Sequence, residues 1–530
     1  MVAHDGVSIV LITYNDMAHL PAAVESALAQ GDVVREVVVV DDASTDETPQ
    51  VLSRWPRDKV RVVRRTVNSG GCGAPRNDGT AFAQSPWIMY LDSDDVLPPG
   101  AVAALHKAAV AGDVDFAAGL CVRRELPEGR EVPWQPQLFT EAGVFSAALR
   151  PETLWDTLSV NKLYRRAFLD RNKIQFADDD AHYEDFGFTA EVYAAATRFA
   201  VIPDRVYTWN VRRKAAVQSI SLRRDELRNW RDRLAAHSRV TATMRETGTQ
   251  KLVEASERKF LEHDLLLYLR DLHRRPAEYR QGWWTAAREH LMGFERASVM
   301  GATATARWAA SVVALREEPT GLERLAELAA DPPRLTPPYA GTAAEPLWDD
   351  SPPGIALSGF AGLTTGRLPI NIEAQVAVAG HRMTLDLYIA DLYGRLARAG
   401  LRGCDIVLRD RLGRFERERP ATLGQDADGI LRARAVVDGA ALRGTDVFST
   451  WDVWARLSFD DGAISTVRVR AAGGAGLGRH LVPDLRRAVL LVQPYRTANH
   501  SLAVRVADGP RGAAAVASAR FRRRGAPKKS

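Results

Sequence analysis

"PWIMYLDSDDVL" (residues 86–97) decides how the first part of this chain folds. Trp87 to Leu91 make an apolar run of strand length, which stops at Asp92, Asp94 and Asp95 with only Ser93 among them. Three earlier segments have the same form. "VSIVLIT" (7–13) runs into Tyr14 and Asn15, "EVVVV" (36–40) into Asp41 and Asp42, and "VRVVRR" (60–65) towards "NSGGCGAPRNDG" (68–79). Helical patterns separate them; Leu20, Val24, Ala27 and Leu28, for example, share one face. "VDFAAG" (114–119) reads as a fifth strand. Such alternation predicts a mostly parallel sheet covered by helices, with its ligand site beyond the carboxyl ends of the strands.

The polar residues then gather at one edge, and their chemistries are complementary. Tyr14 offers a ring to stack on a base, Asp41 and Asp42 can accept hydrogen bonds from a nucleobase or ribose, and Arg76 can pair with phosphate through its planar fork. The glycines of residues 68–79 let a backbone approach a ligand closely, and Pro75 suits a helix start. The spacing is neither a Walker A loop nor a dinucleotide fingerprint. Asp92 and Asp94 are hard oxygen donors on a rigid strand end, suited to Mg²⁺ or Mn²⁺ completed by substrate phosphates. A helix cap would explain one acid of this run and not three, so the cap is assigned to Asp95 and the metal to Asp92 and Asp94.

The chain has 530 residues, 46% hydrophobic and 26% charged, the composition of a soluble globular protein, and about three domains are expected at roughly 150 residues each. Its start, "MVAHDGVSIVLITYN", lacks the form of a secretory leader, and no apolar window is long enough to span a bilayer. A cytoplasmic location is expected, with at most peripheral contact at the inner face of the plasma membrane. Cys72, Cys121 and Cys404 lie too far apart in sequence for a disulfide framework or a thiolate metal site. The formal net charge is +5, concentrated in the tail "ARFRRRGAPKKS", which is either a solvated terminus or a contact for anionic lipid or polymer. No nucleic-acid partner is expected.

Five segments are expected: a catalytic domain over 1–221, a helical connector over 222–331, a proline-rich linker over 332–354, an all-β region over 355–515 and the basic tail over 516–530. Leu227, Trp230 and Leu234 share a helical face, and "KFLEHDLLLYLRDL" (259–272) reads as one long helix. Period-two runs such as Met383, Leu385, Leu387 and Ile389, and Val453, Ala455, Leu457 and Phe459 with Asp461-Gly462 as a turn, predict an immunoglobulin-like sandwich or two small ones.

"VSIVLITYN", "VVVVDDASTDET", "NSGGCGAPRNDG" and "WIMYLDSDDVLPPG", in this order and spacing, resemble the nucleotide-binding half of family 2 glycosyltransferases. The resemblance covers roughly the first 220 residues. It implies a Rossmann-like mixed sheet of the GT-A type, a nucleotide-sugar donor and a metal held by the D-x-D motif Asp92-Ser93-Asp94. It also implies uridine contacts from Tyr14, Asp42, Asn68 and Arg76. Thr13 and Ser93 complete the expected donor-binding set with Asp92.

A transferase also needs a base for the acceptor hydroxyl. Glu184 and Asp185 precede an apolar helix start containing Phe186 and Phe188, where hydrophobic neighbours would raise a carboxyl pKa; capping of that helix is the competing role. The resemblance implies the second acid of such a pair, so Asp185 is the expected base with Glu184 beside it. Asn161 and Lys162 match an N-K-L element that serves either structure or ligand. Asp178, Asp179 and Asp180 read as a solvated loop, and Arg212, Arg213 and Lys214 as either a solvated basic loop or a phosphate contact on a closing segment.

The order catalytic domain, helices, β region resembles bacterial wall-teichoic-acid (poly-ribitol-phosphate) glycosyltransferases. This implies an anionic cell-envelope polymer as acceptor and a homo-oligomer, dimer or trimer, built through the β region. The resulting expectation is an inverting, metal-dependent transfer of GlcNAc or another hexose from a UDP donor to a polymer hydroxyl. A small-molecule or lipid-linked oligosaccharide acceptor, or a non-catalytic polymer-binding scaffold, are the alternatives.

Overall fold

The computed structural model describes residues 6–178, 182–212, 223–425, 430–444, 448–472, 476–484 and 488–524. Two compact units divide the chain: residues up to Leu265 with Arg275–Ala302, and Leu266–Arg274 with Thr303 onward.

The first unit is built on a mixed nine-stranded sheet. Its strands are β1 (Val7–Thr13), β2 (Val34–Asp41), β3 (Val60–Arg64), β4 (Trp87–Asp92), β5 (Phe116–Leu126), β6 (Arg130–Pro133), β7 (Gly143–Phe145), β8 (Lys162–Arg165) and β9 (Phe199–Arg212). The order is β3-β2-β1-β4-β8-β5-β9-β7, with β6 on β5. β1 is parallel to both β2 and β4 and buried along its whole length, as expected of a central parallel strand covered on both faces. Chain order reverses about β1, so the crevice between the carboxyl ends of β1 and β4 is the topological switch point, where Ile12 lies beside Asp92.

Helices α1 (Leu20–Leu28), α2 (Thr48–Leu52), α3 (Gly73–Phe82) and α4 (Ala101–Gly112) supply the crossovers. α3 packs so close to the sheet that a Cβ on Gly79 would meet Val10 Cγ1 at 2.2 Å, and one on Gly73 would meet the Ala177 carbonyl at 2.1 Å. Two of the glycines expected to make room for a ligand therefore make room for the protein itself. β8 runs antiparallel between β4 and β5, a strand too short for its periodicity to reveal. α5 (Arg166–Asn172), α6 (Glu184–Ala195) and α7 (Leu227–Glu246) follow. Trp230 on α7 is fully buried against Trp283 at 4.9 Å between ring centres.

The stretch read as one long helix over 259–272 is interrupted. A π-helical turn, Phe260–Leu265, separates the helix Gln250–Lys259 from Leu266–Leu272.

In the second unit the proline-rich passage is packed, with Leu335 and Trp348 buried and a two-residue strand pair between Ala340–Gly341 and Pro346–Leu347. The all-β region is there, as an eleven-stranded sheet, ten strands in one path and the eleventh, Ile464–Arg468, paired on Phe448–Phe459. Its alternation is regular: in Phe448–Phe459 every second residue is buried. Glu416–Gln425 pairs first with Leu401–Asp410 and then with Leu431–Asp438, so one strand passes between the two halves of the sheet. A helix, Gly509–Arg524, runs into the segment read as a basic tail; Lys528 and Lys529 lie outside the described residues. Among the described residues no helix is long and apolar enough to cross a membrane.

Candidate active site

A cavity of about 550 Å³ opens at the switch point. Of the expected site residues, Thr13, Tyr14, Asp42, Arg76, Asp92, Ser93, Asp94, Glu184 and Asp185 all line it. Elements far apart in sequence supply them: Thr13 ends β1, Asp92 ends β4, Arg76 lies in α3, and Glu184 and Asp185 open α6.

Arg76 is the hub. Only 2% exposed, it donates from Nη1 to Glu184 Oε1 and Asp185 Oδ1, both at 2.8 Å, and from Nη2 to Asp92 Oδ1 at 2.8 Å. Burial works against its charge, but Asp92, Asp185 and Glu184 hold its pKa above the ordinary guanidinium value. The sequence reading paired Arg76 with a donor phosphate; its fork is already occupied by three carboxylates. Its place in the structure is to join the strand-end acids to the helix-start acids.

Burial, then the Asp185 charge, push the Glu184 carboxyl up to about 7 against the pull of Arg76. Tyr183, the left-handed residue before α6 (φ 71°), makes no side-chain cap bond, and Glu184 and Asp185 both lie in the first turn of the helix, where its dipole also favours their charge. Asp185 Oδ1 also accepts from Ser159 Oγ at 2.8 Å.

The three aspartates of residues 92–95 separate. Asp94 Oδ2 meets Arg212 Nη1 at 3.1 Å, and burial with the nearby Asp92 charge raises its pKa to about 6. Asp95 does not cap a helix: the residue before α4 is Gly100, left-handed and without a side-chain cap. Instead Asp95 is buried, accepting from Tyr207 Oη at 2.8 Å and from the Asn210 backbone N–H at 2.7 Å. The isolated pairing of Val96 with Thr208 draws this segment against β9. Burial and the two neighbouring aspartates raise the Asp95 pKa well above the ordinary value. Ser93 Oγ donates to Asp16 Oδ2 at 2.7 Å.

At the opposite end Tyr14 is 48% exposed at the mouth. Asp42 accepts from Asn68 Nδ2 at 2.9 Å and Ser69 Oγ at 2.8 Å, and pairs with Arg65 Nε at 3.0 Å. Asn68 holds Asp42 and is absent from the cavity lining. Thr13 Oγ1 is buried and has no hydrogen-bond partner among the described residues. Asp178 accepts from Asn77 Nδ2 at 3.1 Å; Asp179, Asp180, Arg213 and Lys214 lie outside the described residues.

Sequence reasoning missed part of the wall. Trp134 and Trp209 meet edge to face at 6.0 Å, and His263 meets Trp134 at 5.7 Å; all three line the cavity, as does Arg233. Arg233 comes from α7 and His263 from the π-helical turn, so helices read as a connector complete the pocket. Arg233 Nε donates to the buried Asp264 Oδ1 at 2.8 Å, and Lys259 Nζ reaches Asp264 Oδ2 at 2.8 Å. The available signal was "EHD" inside an apolar helical run, since charges on such a face need buried partners.

Among the described residues no cluster of three or more His, Cys, Asp or Glu forms a metal site. Asp92 and Asp94, 32% and 40% exposed on their side chains, offer hard oxygen donors on one cavity wall. Their mutual repulsion shows in the raised pKa of Asp94. The donor chemistry of the pair, hard carboxylate oxygens, is of the kind that suits a Mg²⁺ or Mn²⁺ ion drawing its remaining ligands from water and phosphate.

Residues 8–172 match the family model described as glycosyl transferase family 2. The poly(ribitol-phosphate) beta-N-acetylglucosaminyltransferase TarS of Staphylococcus aureus strain Mu50 is 33% identical over 212 residues, 39% of this chain and 36% of that protein. The alignment thus spans about a third of that relative's length. The crystal structure of S. aureus TarS covers 95% of this chain and 85% of its own, at 18% identity and a TM-score of 0.54. TarS 1–349 in complex with UDP-GlcNAc covers 66% of this chain and 98% of its own, at 20% identity and a TM-score of 0.53. These structural likenesses establish the fold: a Rossmann-like mixed sheet, helices in the middle and an all-β region after them. The N-terminal part of the chain carries a glycosyl transferase family 2 domain.

Proposed function

We propose that the protein is an inverting, metal-dependent glycosyltransferase that moves GlcNAc or another hexose from a UDP donor to a hydroxyl of an anionic cell-envelope polymer such as poly(ribitol phosphate). The observation that carries this reading is the Arg76 bridge, which ties Asp92 of the D-x-D run to Glu184 and Asp185 within one cavity. A leaving-group site and a base site then adjoin. The relative's name and the UDP-GlcNAc complex of TarS 1–349 support the choice of donor and acceptor.

Tyr14 and Asp42 receive the uridine at the mouth. Asp92 and Asp94 would hold a divalent cation, whose chemistry there is to neutralise charge on the departing diphosphate. Asp185 takes the proton of the acceptor hydroxyl as that oxygen attacks the anomeric carbon on the face opposite the diphosphate. Arg76 orients Asp185 through its Nη1 bond to Oδ1, and Glu184, pushed up to about 7 by burial and the Asp185 charge, is part-protonated near neutrality. That protonation limits the negative charge Arg76 must balance. Trp134, Trp209 and His263 form the wall on which the acceptor lies. The reading places the β region in subunit association or polymer retention, and the reaction in the cytoplasm at the inner face of the plasma membrane.

A donor screen on poly(ribitol phosphate), following released UDP with Mn²⁺, with Mg²⁺ and with EDTA, tests this. Turnover of a UDP-hexose that EDTA abolishes is expected. Absence of turnover with every UDP-sugar would overturn the reading, and turnover indifferent to EDTA would remove the metal from it.

A further inference from the structure

The N-K-L element has no part in the reaction as described, yet it belongs to a deeply buried polar segment near the cavity. Asp156, Ser159, Asn161 and Lys162 are each no more than 1% exposed. A buried loop must satisfy its backbone groups internally, and this one does so with charge. Lys162 Nζ donates to Asp156 Oδ2 at 2.5 Å, to the Leu158 carbonyl at 2.6 Å and to Asn161 Oδ1 at 3.1 Å. Asn161 Nδ2 donates to the Gly119 carbonyl at 2.9 Å and to Asp156 Oδ2 at 3.0 Å. The Gly119 N–H returns a bond to the Asn161 carbonyl at 3.1 Å. Tyr164 Oη donates to the Ser159 carbonyl at 2.8 Å.

A buried ion pair is a poor source of stability, because desolvation offsets most of its attraction; apolar residues of similar volume would serve the fold as well. What this one achieves is a fixed backbone at Leu158 and Ser159. The Ser159 hydroxyl is thereby aimed at Asp185 Oδ1, 2.8 Å away. Arg76 Nη1 bonds the same oxygen. Both donors fall on Oδ1, and among the described residues none reaches Oδ2. Asp185 lines the cavity with 20% of its side chain exposed, so Oδ2 is the oxygen presented to a ligand.

We infer that Ser159, fixed by the buried Asp156–Lys162 pair, is a positioning residue that pins Oδ1 of Asp185 and so selects Oδ2 as the atom that receives the acceptor proton. This rests on the proposed role of Asp185. Without Ser159 the carboxylate keeps one donor, can turn about its terminal bond and loses a fixed proton-accepting direction, while Arg76, Asp92 and the donor end are untouched. The effect belongs in kcat and not in donor binding.

The experiment uses the full chain with UDP-GlcNAc and poly(ribitol phosphate), comparing wild type, Ser159→Ala and Asp185→Asn. Turnover is followed by released UDP, UDP affinity by calorimetry and folding by thermal melting. For Ser159→Ala, kcat is expected to fall by about tenfold or more, the worth of a hydrogen bond to a charged group, with donor KM and UDP affinity within twofold of wild type. An unchanged kcat with Asp185→Asn inactive overturns the positioning role and leaves the base assignment standing. A loss of UDP affinity equal to the loss of kcat overturns it in favour of a structural role. Full activity of Asp185→Asn overturns the base assignment itself.

Discussion

Arg76 and Asp92 are joined at 2.8 Å, Nη2 to Oδ1, while the other terminal nitrogen of the same guanidinium holds Glu184 and Asp185. One side chain on α3 therefore sets the distance between the end of β4 and the start of α6. Lysine has a point charge and no fork, so it cannot serve both sides. Arg76→Lys is expected to lower turnover at least a hundredfold. Arg76→Met leaves three carboxylates without their partner and is expected to cost about 3 kcal/mol of stability. Chemical denaturation alongside UDP release checks both.

The pH dependence follows from Glu184. Its pKa rises from 4.5 to about 7 on folding, so the folded state binds this proton more tightly than the unfolded one. Its contribution is nil below about pH 4.5 and becomes an increasing destabilisation as pH rises towards 7. The melting temperature of the ligand-free protein should fall across that window, and Glu184→Gln should flatten the fall. An identical slope in the variant would reassign the proton.

Asp95 is a structural acid and not a cap. Tyr207 Oη donates to it at 2.8 Å and accepts from the Asp92 N–H at 3.2 Å. Tyr207→Phe removes both bonds from buried groups and is expected to cost about 1–3 kcal/mol, measured by thermal or denaturant unfolding.

The aromatic wall belongs to the acceptor in the proposed reading. Trp134→Ala is expected to raise the acceptor KM about tenfold, equivalent to about 1.4 kcal/mol, and to leave UDP affinity unchanged by calorimetry. A weakened UDP affinity would move Trp134 to the donor side.

Asp92 and Asp94 give the metal test. Asp94→Asn removes one hard ligand and part of the repulsion at once. The variant should need more Mn²⁺ for half-maximal turnover, and the shift is read directly from a Mn²⁺ titration of UDP release.

The sheet edge was legible in the sequence because period and polarity are local properties. A run such as Val7–Thr13 is buried on both faces and can only be a central strand, and parallel strands bring their carboxyl ends together whatever the details of packing. Tyr14, Asp42, Asp92 and Asp94 followed from that rule, and Thr13 entered with the family resemblance. The division of labour among them did not. Whether Asp95 caps a helix or lies buried against Tyr207 depends on how 112 positions of intervening chain return β9 to the site. Arg76 could be recognised as a fork seeking oxygens, yet its three partners lie 16, 108 and 109 positions away. Arg233 and His263 lie in segments read only as a helical connector, and Ser159 had no signal of its own. Sequence determined which chemistry could be present, since side-chain type and strand period are fixed by the residues. Tertiary structure decided which oxygen faces which donor, because hydrogen bonds act over about 3 Å and only the folded chain sets distances on that scale.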